Sequence, residues 1–356
     1  MLWQMRTIAV LVSVAAGMFA HSFNTTAPRH SPRVAHVGTI HGQCVDCDVN
    51  YSLATLHFQS SQSGFATASF LPRGNGSGLS TVVRTSDGGR LWKPLPFTQQ
   101  RSAEQTPAVF FIDAEHGWIS SYDSWTAQGL LSRTSDGGES WTHAASPVVY
   151  DLQFFSKTDG YSVAKVQGAT WFRSTNDAGA TWRATLLPFS YIDAMSFFDR
   201  KVGVIAGTGG GSIIAATRDS GAHWSAARLP AGFSGARASL VRWRNTTSAL
   251  AVLQPANDGS LLVESTDSGT TWSRISAPPF HSRRLRISEI VTGGGHAAIV
   301  FYEVDRSAFV AVTRDGGRTW KTTPIPATVN SCQRIGERFT CSSGMDLLAF
   351  ELRLKP

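Results

Sequence analysis

The sequence predicts an all-β protein, a β-propeller of seven four-stranded blades, with six blades as the alternative. Three observations predict it. A phrase of the form S/T-x-D-x-G-x-x-W occurs six times, and its aspartates, Asp87, Asp136, Asp177, Asp219, Asp267 and Asp315, are 49, 41, 42, 48 and 48 residues apart. That period belongs to repeated supersecondary units. Each copy follows a short apolar run and precedes a brief alternating stretch, and a second apolar-turn-apolar unit lies upstream, so each period holds two hairpins and four strands. Charged residues are only 16% of the chain and glycines number 33, which suits a turn-rich sheet protein. Four-stranded units that each need a covered face are satisfied by radial stacking.

The chain opens with Arg6 followed by a 14-residue apolar run, Thr7–Ala20, and then a Pro/Ser/Thr-rich stretch. Residues 1–20 read as a secretory signal peptide, residues 21–34 as a polar linker, and 35–356 as one propeller domain. Met18 stands where a small residue normally precedes a cut after Ala20, so an uncleaved membrane anchor is the alternative. The run is short of the ~20 residues a spanning helix uses. An extracytoplasmic location follows from either reading. Four cysteines, Cys44, Cys47, Cys332 and Cys341, suit export and structural disulfides. Three connectivities are open.

The first hairpin of each period is marked by a large apolar residue with a small one six positions later. The pairs are Phe58 and Gly64, Phe111 and Gly117, Phe154 and Gly160, Phe197 and Gly203, then the weaker Trp243 and Ala249, and Ile290 and His296. The second hairpin carries the phrase itself. Its Asp accepts hydrogen bonds from the backbone that follows, its Gly admits φ > 0, and its Ser or Thr caps an amide. The structural set is Asp87, Gly89, Trp92; Asp136, Gly138, Trp141; Asp177, Gly179, Trp182; Asp219, Gly221, Trp224; Asp267, Gly269, Trp272; and Asp315, Gly317, Trp320. After Trp320, Ile335 to Cys341 repeats the six-residue offset ahead of a strand-like "DLLAFELRL", three strands in all. The N-terminal "RVAHVGTI" supplies a fourth and closes a seventh blade, which brings both cysteine pairs into one neighbourhood where a bridge across the seam would restrain the ends.

These repeats resemble the Asp-box, or BNR repeat, of sialidase-like propellers. "FIDAEHGW" at Phe111–Trp118 is similar to repeats of photosystem II stability and assembly factors and related exported proteins. The resemblance implies a catalytic or binding face opposite the Asp-boxes. It also implies, for a sialidase, an arginine cluster, a tyrosine nucleophile paired with a glutamate, and an aspartate. Tyr302 and Glu303 supply residue types for such a site, but the early F/Y-R-I-P motif of sialidases has no counterpart in "PRVA" or "LPRG".

On the loops predicted for that opposite face, Arg73, Tyr122, Asp123, Trp125, Tyr191, Arg283, Arg284 and Arg286 are the ligand-binding candidates. Aromatics beside arginines suit a sugar, a carboxylate or a peptide tail. The net charge of +7 rests on 26 Arg against 6 Lys, which suits an acidic partner and equally reads as genome composition and solubility. No dense basic run points to nucleic acid. The histidines lack ligand spacing, and no phosphate-loop or metalloprotease motif occurs, so no metal or cofactor is expected. The expectation is a monomeric, non-catalytic scaffold for a protein partner or an acidic or glycan ligand in the cell envelope, with a diverged glycoside hydrolase or a lectin as the competing classes.

Overall fold

The computed structural model describes residues 33–39, 47–72, 79–95, 108–123, 128–208, 213–231, 233, 236–255, 259–275, 279–280, 284–293, 296–335, 338–343 and 346–351. The expected signal segment lies outside them, as do Cys44, Arg73, Trp125 and Arg283, and of Tyr122, Asp123 and Cys47 only the backbone is described.

These residues form seven antiparallel four-stranded sheets, the blades of an all-β propeller. The innermost strands are Cys47–Phe58, Ala108–Phe111, Val148–Phe154, Tyr191–Phe197, Arg237–Trp243, Arg286–Thr292 and Ser331–Ile335. Each packs against the next, and the last packs against the first, so the ring is closed. In blades 1 to 6 all four strands are consecutive in sequence; blade 6, for example, runs Arg286–Thr292, Ala298–Val304, Ser307–Thr313, Lys321–Pro324. Blade 7 takes Ser331–Ile335, Arg338–Ser343 and Asp346–Glu351 from the C-terminus and Arg33–Thr39 from the N-terminal side, with Arg33 opposite Glu351 and Thr39 opposite Asp346. The strand therefore starts two residues inside the stretch expected to be linker.

The Phe-x5-Gly signature has a packing origin. In blades 1 to 4 the Phe ring lies over the glycine of the facing strand, and a Cβ on Gly64, Gly117, Gly160 or Gly203 would sit 2.3–2.6 Å from ring carbons. The residue after the glycine then reaches the next blade. Phe65 stacks on Phe111 and Trp118 on Phe154, each at 3.6 Å, and Tyr161 meets Phe197 at 4.6 Å. One motif thus closes a hairpin and glues two blades.

Trp243 of blade 5 keeps the expected register, opposite Ala249, but where no aromatic stands there the register shifts. In blade 6 Thr292, not Ile290, closes the hairpin, opposite Ala298. In blade 7 Ile335 faces Arg338, and the six-residue offset to Cys341 is no hairpin register. Cys332 instead faces Cys341, and the two form a disulfide with Cα atoms 4.1 Å apart. This bridge cross-links the first hairpin of blade 7; it does not cross the seam between the chain ends.

Polar side chains on the innermost strands also stitch the blades together. Asp151 accepts from the Met195 amide of blade 4 at 3.0 Å, and Glu289 from the Cys332 amide of blade 7 at 3.4 Å. At the seam Ser331 accepts from the Leu56 amide at 3.4 Å. Gln153 pairs with both the amide and the carbonyl of Phe197, and Gln333 does the same to Phe58. Inward-facing backbone polar groups that would otherwise lack partners are satisfied this way.

Candidate functional site

The six repeated phrases form the turns between third and fourth strands, on the same ring face as the turns between first and second strands. Most of their polar side-chain atoms bond within the turn itself; the Trp224 indole N–H is the exception, buried without a partner among the described residues. The Thr or Ser two residues before each Asp donates to Asp Oδ1 and accepts the glycine amide, at 2.9 Å in every copy. Asp Oδ1 also accepts the amide four residues on, Leu91, Ser140, Thr181, His223, Thr271 or Thr319. Oδ2 takes the hydroxyl of Ser140, Thr181, Thr271 or Thr319, and in blade 4 the ring nitrogen of His223. The Thr181 hydroxyl, more than any other contact, holds Asp177 down at about 2, and the His223 amide does the same for Asp219. Carboxylates held this far below neutral stay ionised and are weak proton acceptors at neutral pH.

The opposite face, formed by turns between second and third strands and by connections between blades, holds a different chemistry. Between blades 5 and 6 lies an open cavity of about 860 Å³. Its wall comes from three segments: the blade 5 turn around Gln254 and Ser260, the entry to blade 6 at Arg284–Ile287, and the blade 6 turn at Glu303–Arg306. The segments are tied together from below. The Ser260 amide donates to Leu285 O at 2.7 Å and its hydroxyl accepts from the Ile287 amide at 3.1 Å. Leu285 is fully buried, and Phe280 anchors the same connection edge-on to Trp320 at 4.8 Å and Tyr302 at 5.8 Å. Buried apolar residues thus fix a loop whose charged residues stay exposed.

Of the sequence candidates, this cavity gathers Arg284, Arg286 and Glu303. Arg286 and Glu303 are directly opposed across the first two strands of blade 6. Arg284 pairs with Asp305 at 2.8 Å, and that contact raises its pKa. Arg306, which sequence reasoning did not single out, also lines the wall. The hint was the "VDRS" string between two apolar runs, a two-residue hairpin turn. Tyr302 is not in the cavity. Its ring is 4% exposed, stacked on Phe309 at 5.4 Å within the core, and burial pushes its hydroxyl up from the usual tyrosine range. Alternation along the strand sends Glu303 out and Tyr302 in.

A second cluster adjoins the first. Arg237, whose strand partner Gln254 lines the cavity, bonds to Asp193 and lies over the Tyr191 ring at 5.4 Å. Tyr191 in turn meets Tyr150 edge-on at 5.3 Å. Tyr150 and Asp193 are the extra residues of β-bulges, which recur at the same place in the innermost strands of five blades. A bulge re-aims its side chain. Among the described residues Asp193 Oδ2 is buried without a hydrogen-bond partner. A stripe of aromatic and arginine side chains thus runs from blade 3 to blade 6. Among the described residues no group of three His, Cys, Asp or Glu is placed to hold a metal.

No family model matches the chain, and no curated protein matches it by sequence. Solved structures do match in shape. YCF48 from Cyanidioschyzon merolae is similar with a TM-score of 0.61 and 15% identity, over 89% of this chain and 98% of that one. A GH74 xyloglucanase from Xanthomonas campestris gives 0.62 at 13% identity, over 91% of this chain but 54% of that one. Virginiamycin B lyase from Staphylococcus aureus gives 0.60 at 10% identity, over 90% and 100%. At such identities the likeness shows the propeller fold alone.

Proposed function

We propose that the protein is a non-catalytic, extracytoplasmic binding scaffold of the Asp-box propeller class. It uses the face opposite the repeated turns to hold a protein partner or an acidic or glycan ligand. The observation that carries this reading is the division of labour between the two faces. The repeat face has its carboxylates bonded by the turns themselves, whereas the opposite face presents Arg284, Arg286 and Arg306 around an open cavity. Arginine at a concave surface suits planar anionic groups.

The neighbours in shape include both YCF48 and a xyloglucanase, so shape does not choose between binding and hydrolysis. The site's chemistry favours binding. The tyrosine a sialidase-like mechanism would use, Tyr302, is part of the core. Among the described residues the cavity holds two carboxylates, Glu303 at the end of a strand and Asp305 in the turn that follows it, and Asp305 is tied to Arg284.

The purified protein is expected to show no turnover on fluorogenic sialosides or other aryl glycosides. Immobilised protein is expected to retain an envelope component that an Arg286→Gln, Arg306→Gln double variant loses. Glycoside hydrolysis abolished by Glu303→Gln would overturn the reading in favour of an enzyme.

A further inference from the structure

We propose that the outer edge of blade 3 is a docking strand. An extended segment of a partner polypeptide, apolar at alternate residues and acidic at its ends, adds to Arg183–Leu187 as a fifth strand. This surface lies on the rim of the ring and does not involve the cavity between blades 5 and 6.

The outermost strand of a sheet presents alternate N–H and C=O groups without partners, and proteins blunt such edges. The other blades do so. In blades 4 and 5 the outermost strands are two residues long, Ser225–Ala226 and Ser273–Arg274. The chain beyond the first of these is taken up by blade 5, where the Arg228 amide donates to Thr270 O and its carbonyl accepts the Trp272 amide, both at 2.9 Å. Blades 1 and 6 end on Lys93–Pro94 and Lys321–Pro324, and Arg33–Thr39 of blade 7 is bulged between His36 and Gly38. Blade 2 offers five residues, Thr142–Ser146, without a large apolar side chain, and Arg173 of blade 3 donates to Ser146 Oγ at 3.4 Å. Blade 3 also offers five, with neither proline nor bulge, and its Leu186 is 58% exposed.

The prolines of blades 1 and 6 show which amides face outward. The Leu95 amide bonds inward to Val82 O and the Ile325 amide to Ala308 O, both at 2.9 Å. Backbone groups alternate along an antiparallel strand, so Pro94 and Pro324 stand where an N–H would point to solvent. Pro94 is two residues after Trp92, and Pro324 four after Trp320; the same steps from Trp182 reach Ala184 and Leu186. Blade 3 thus keeps two outward donors at the positions where its fellow blades have removed one.

Side chains reinforce this edge. Leu186 lies opposite Trp171, Trp171 opposite Ala164, and Val166 opposite Ala169. With alternation along each strand, Val166, Ala169, Trp171 and Leu186 share one face of the sheet. Val166 is 37% exposed, and Ala169 and Trp171 are half-buried. Every second side chain of an added strand would extend that apolar strip. Charge decides what flanks it. The three outer strands of blade 3, Gly160–Val166, Ala169–Thr175 and Arg183–Leu187, hold Lys165, Arg173 and Arg183 and no carboxylate. Asp177, in the turn before Arg183, is bonded to Thr175 and Thr181. Acidic residues at the ends of the incoming segment complement this edge.

Fluorescence polarisation of the full protein at low ionic strength tests the proposal, with the labelled peptide EVTVTVE as probe. Saturable binding is expected, with the charge-reversed KVTVTVK roughly fivefold weaker, the upper range of a solvated ion pair. Ala184→Pro and Leu186→Pro copy the blocked edges of blades 1 and 6 and remove no bond of the blade itself. Each is expected to weaken binding roughly tenfold, the worth of one hydrogen bond. Leu186→Lys leaves the backbone untouched, so weaker binding there at an unchanged melting temperature separates docking from misfolding. Absence of binding at millimolar peptide, or binding that survives both proline variants, would overturn the docking strand. Equal binding of the two peptides would overturn its acidic chemistry. Sedimentation velocity on the protein alone covers the other occupant: a dimer that grows with concentration and vanishes in Leu186→Pro would give the edge to a second copy of the chain and overturn the partner segment.

Discussion

Two buried ionisable residues between blades shape how the protein should respond to pH. His57 packs edge-on to Phe110 at 5.8 Å between blades 1 and 2, with Nε2 buried and unpartnered among the described residues. Burial lowers its pKa from 6.5 to about 4. Asp151, which staples blade 3 to Met195 of blade 4, is raised by burial from 3.8 to about 6. The two act in opposite senses. For His57 the unfolded chain binds the extra proton, so stability is full above pH 6.5 and is lost as pH falls toward 4. For Asp151 the folded chain binds the extra proton, so stability is full below pH 3.8 and is lost as pH rises toward 6. At 1.36 kcal/mol per pKa unit each amounts to about 3 kcal/mol, and between pH 4 and 6 they nearly cancel. His57→Gln should make stability fall by about that amount as pH rises from 4 to 6, relative to wild type. Asp151→Asn should make it fall as pH drops from 6.5 to 4. Urea unfolding at stepped pH measures both slopes, and variant curves parallel to wild type would refute the assignment. Neither residue stood out in the sequence, because a lone His or Asp in an apolar strand acquires its environment only when the next blade is laid against it.

At the scale of the hairpin, the Phe-x5-Gly unit is the most exacting element in the ring. A Cβ on Gly160 would lie 2.4 Å from Phe154 Cδ1, and Phe154 is itself clamped by Trp118 at 3.6 Å and flanked by Trp182 at 6.4 Å. The ring has nowhere to move. Gly160→Ala should cost roughly 1–3 kcal/mol by overpacking, seen as a lower urea midpoint at unchanged m-value, and should be eased by Phe154→Leu in the same chain. Absence of that rescue would mean the clash is not with Phe154. This element was legible in the sequence because both partners sit on one hairpin at fixed spacing. The repeated Asp turn was legible for the same reason, since the bonds made by its Thr and Asp side chains lie within seven residues, from Thr85 through Asp87 to Leu91 in blade 1. Where Thr292 replaces the aromatic, the spacing alone misplaced the register by two residues. The cavity was legible only in part. Arg284, Arg286 and Glu303 were visible as loop or strand-end charges, but Arg306 and the Phe280 anchor depend on contacts between the blade 5–6 connection and blade 6. The disulfide partner of Cys332 was likewise settled by strand register, not by spacing along the chain.

For the whole molecule, closure of the ring is the step on which the interface between blades 7 and 1 depends. The fourth strand of blade 7, Arg33–Thr39, pairs with Asp346–Glu351 more than 300 residues away, and inside the ring Gln333 grips Phe58 through both its amide and its carbonyl. These contacts form only when the chain ends meet, so their loop-closure cost is large but grows only logarithmically with length. Once formed they leave no innermost strand without two neighbours. Deleting residues 33–39 would strip a full row of hydrogen bonds from Asp346–Glu351 and leave it as a bare edge. At about 1 kcal/mol net per bond the loss should reach several kcal/mol. The seam should open first: hydrogen exchange should quicken in Arg338–Ser343 and Asp346–Glu351, then in Cys47–Phe58, while Tyr191–Phe197 and Arg237–Trp243 stay protected. A synthetic peptide of sequence RVAHVGT added in trans should restore protection at the seam, as strand addition to a sheet edge does. Uniform loss of protection around the ring would instead mean that closure is cooperative with every blade at once and that no blade outlives the seam. Slower exchange around the cavity of blades 5 and 6 than at the seam would show that the binding face outlasts closure of the ring.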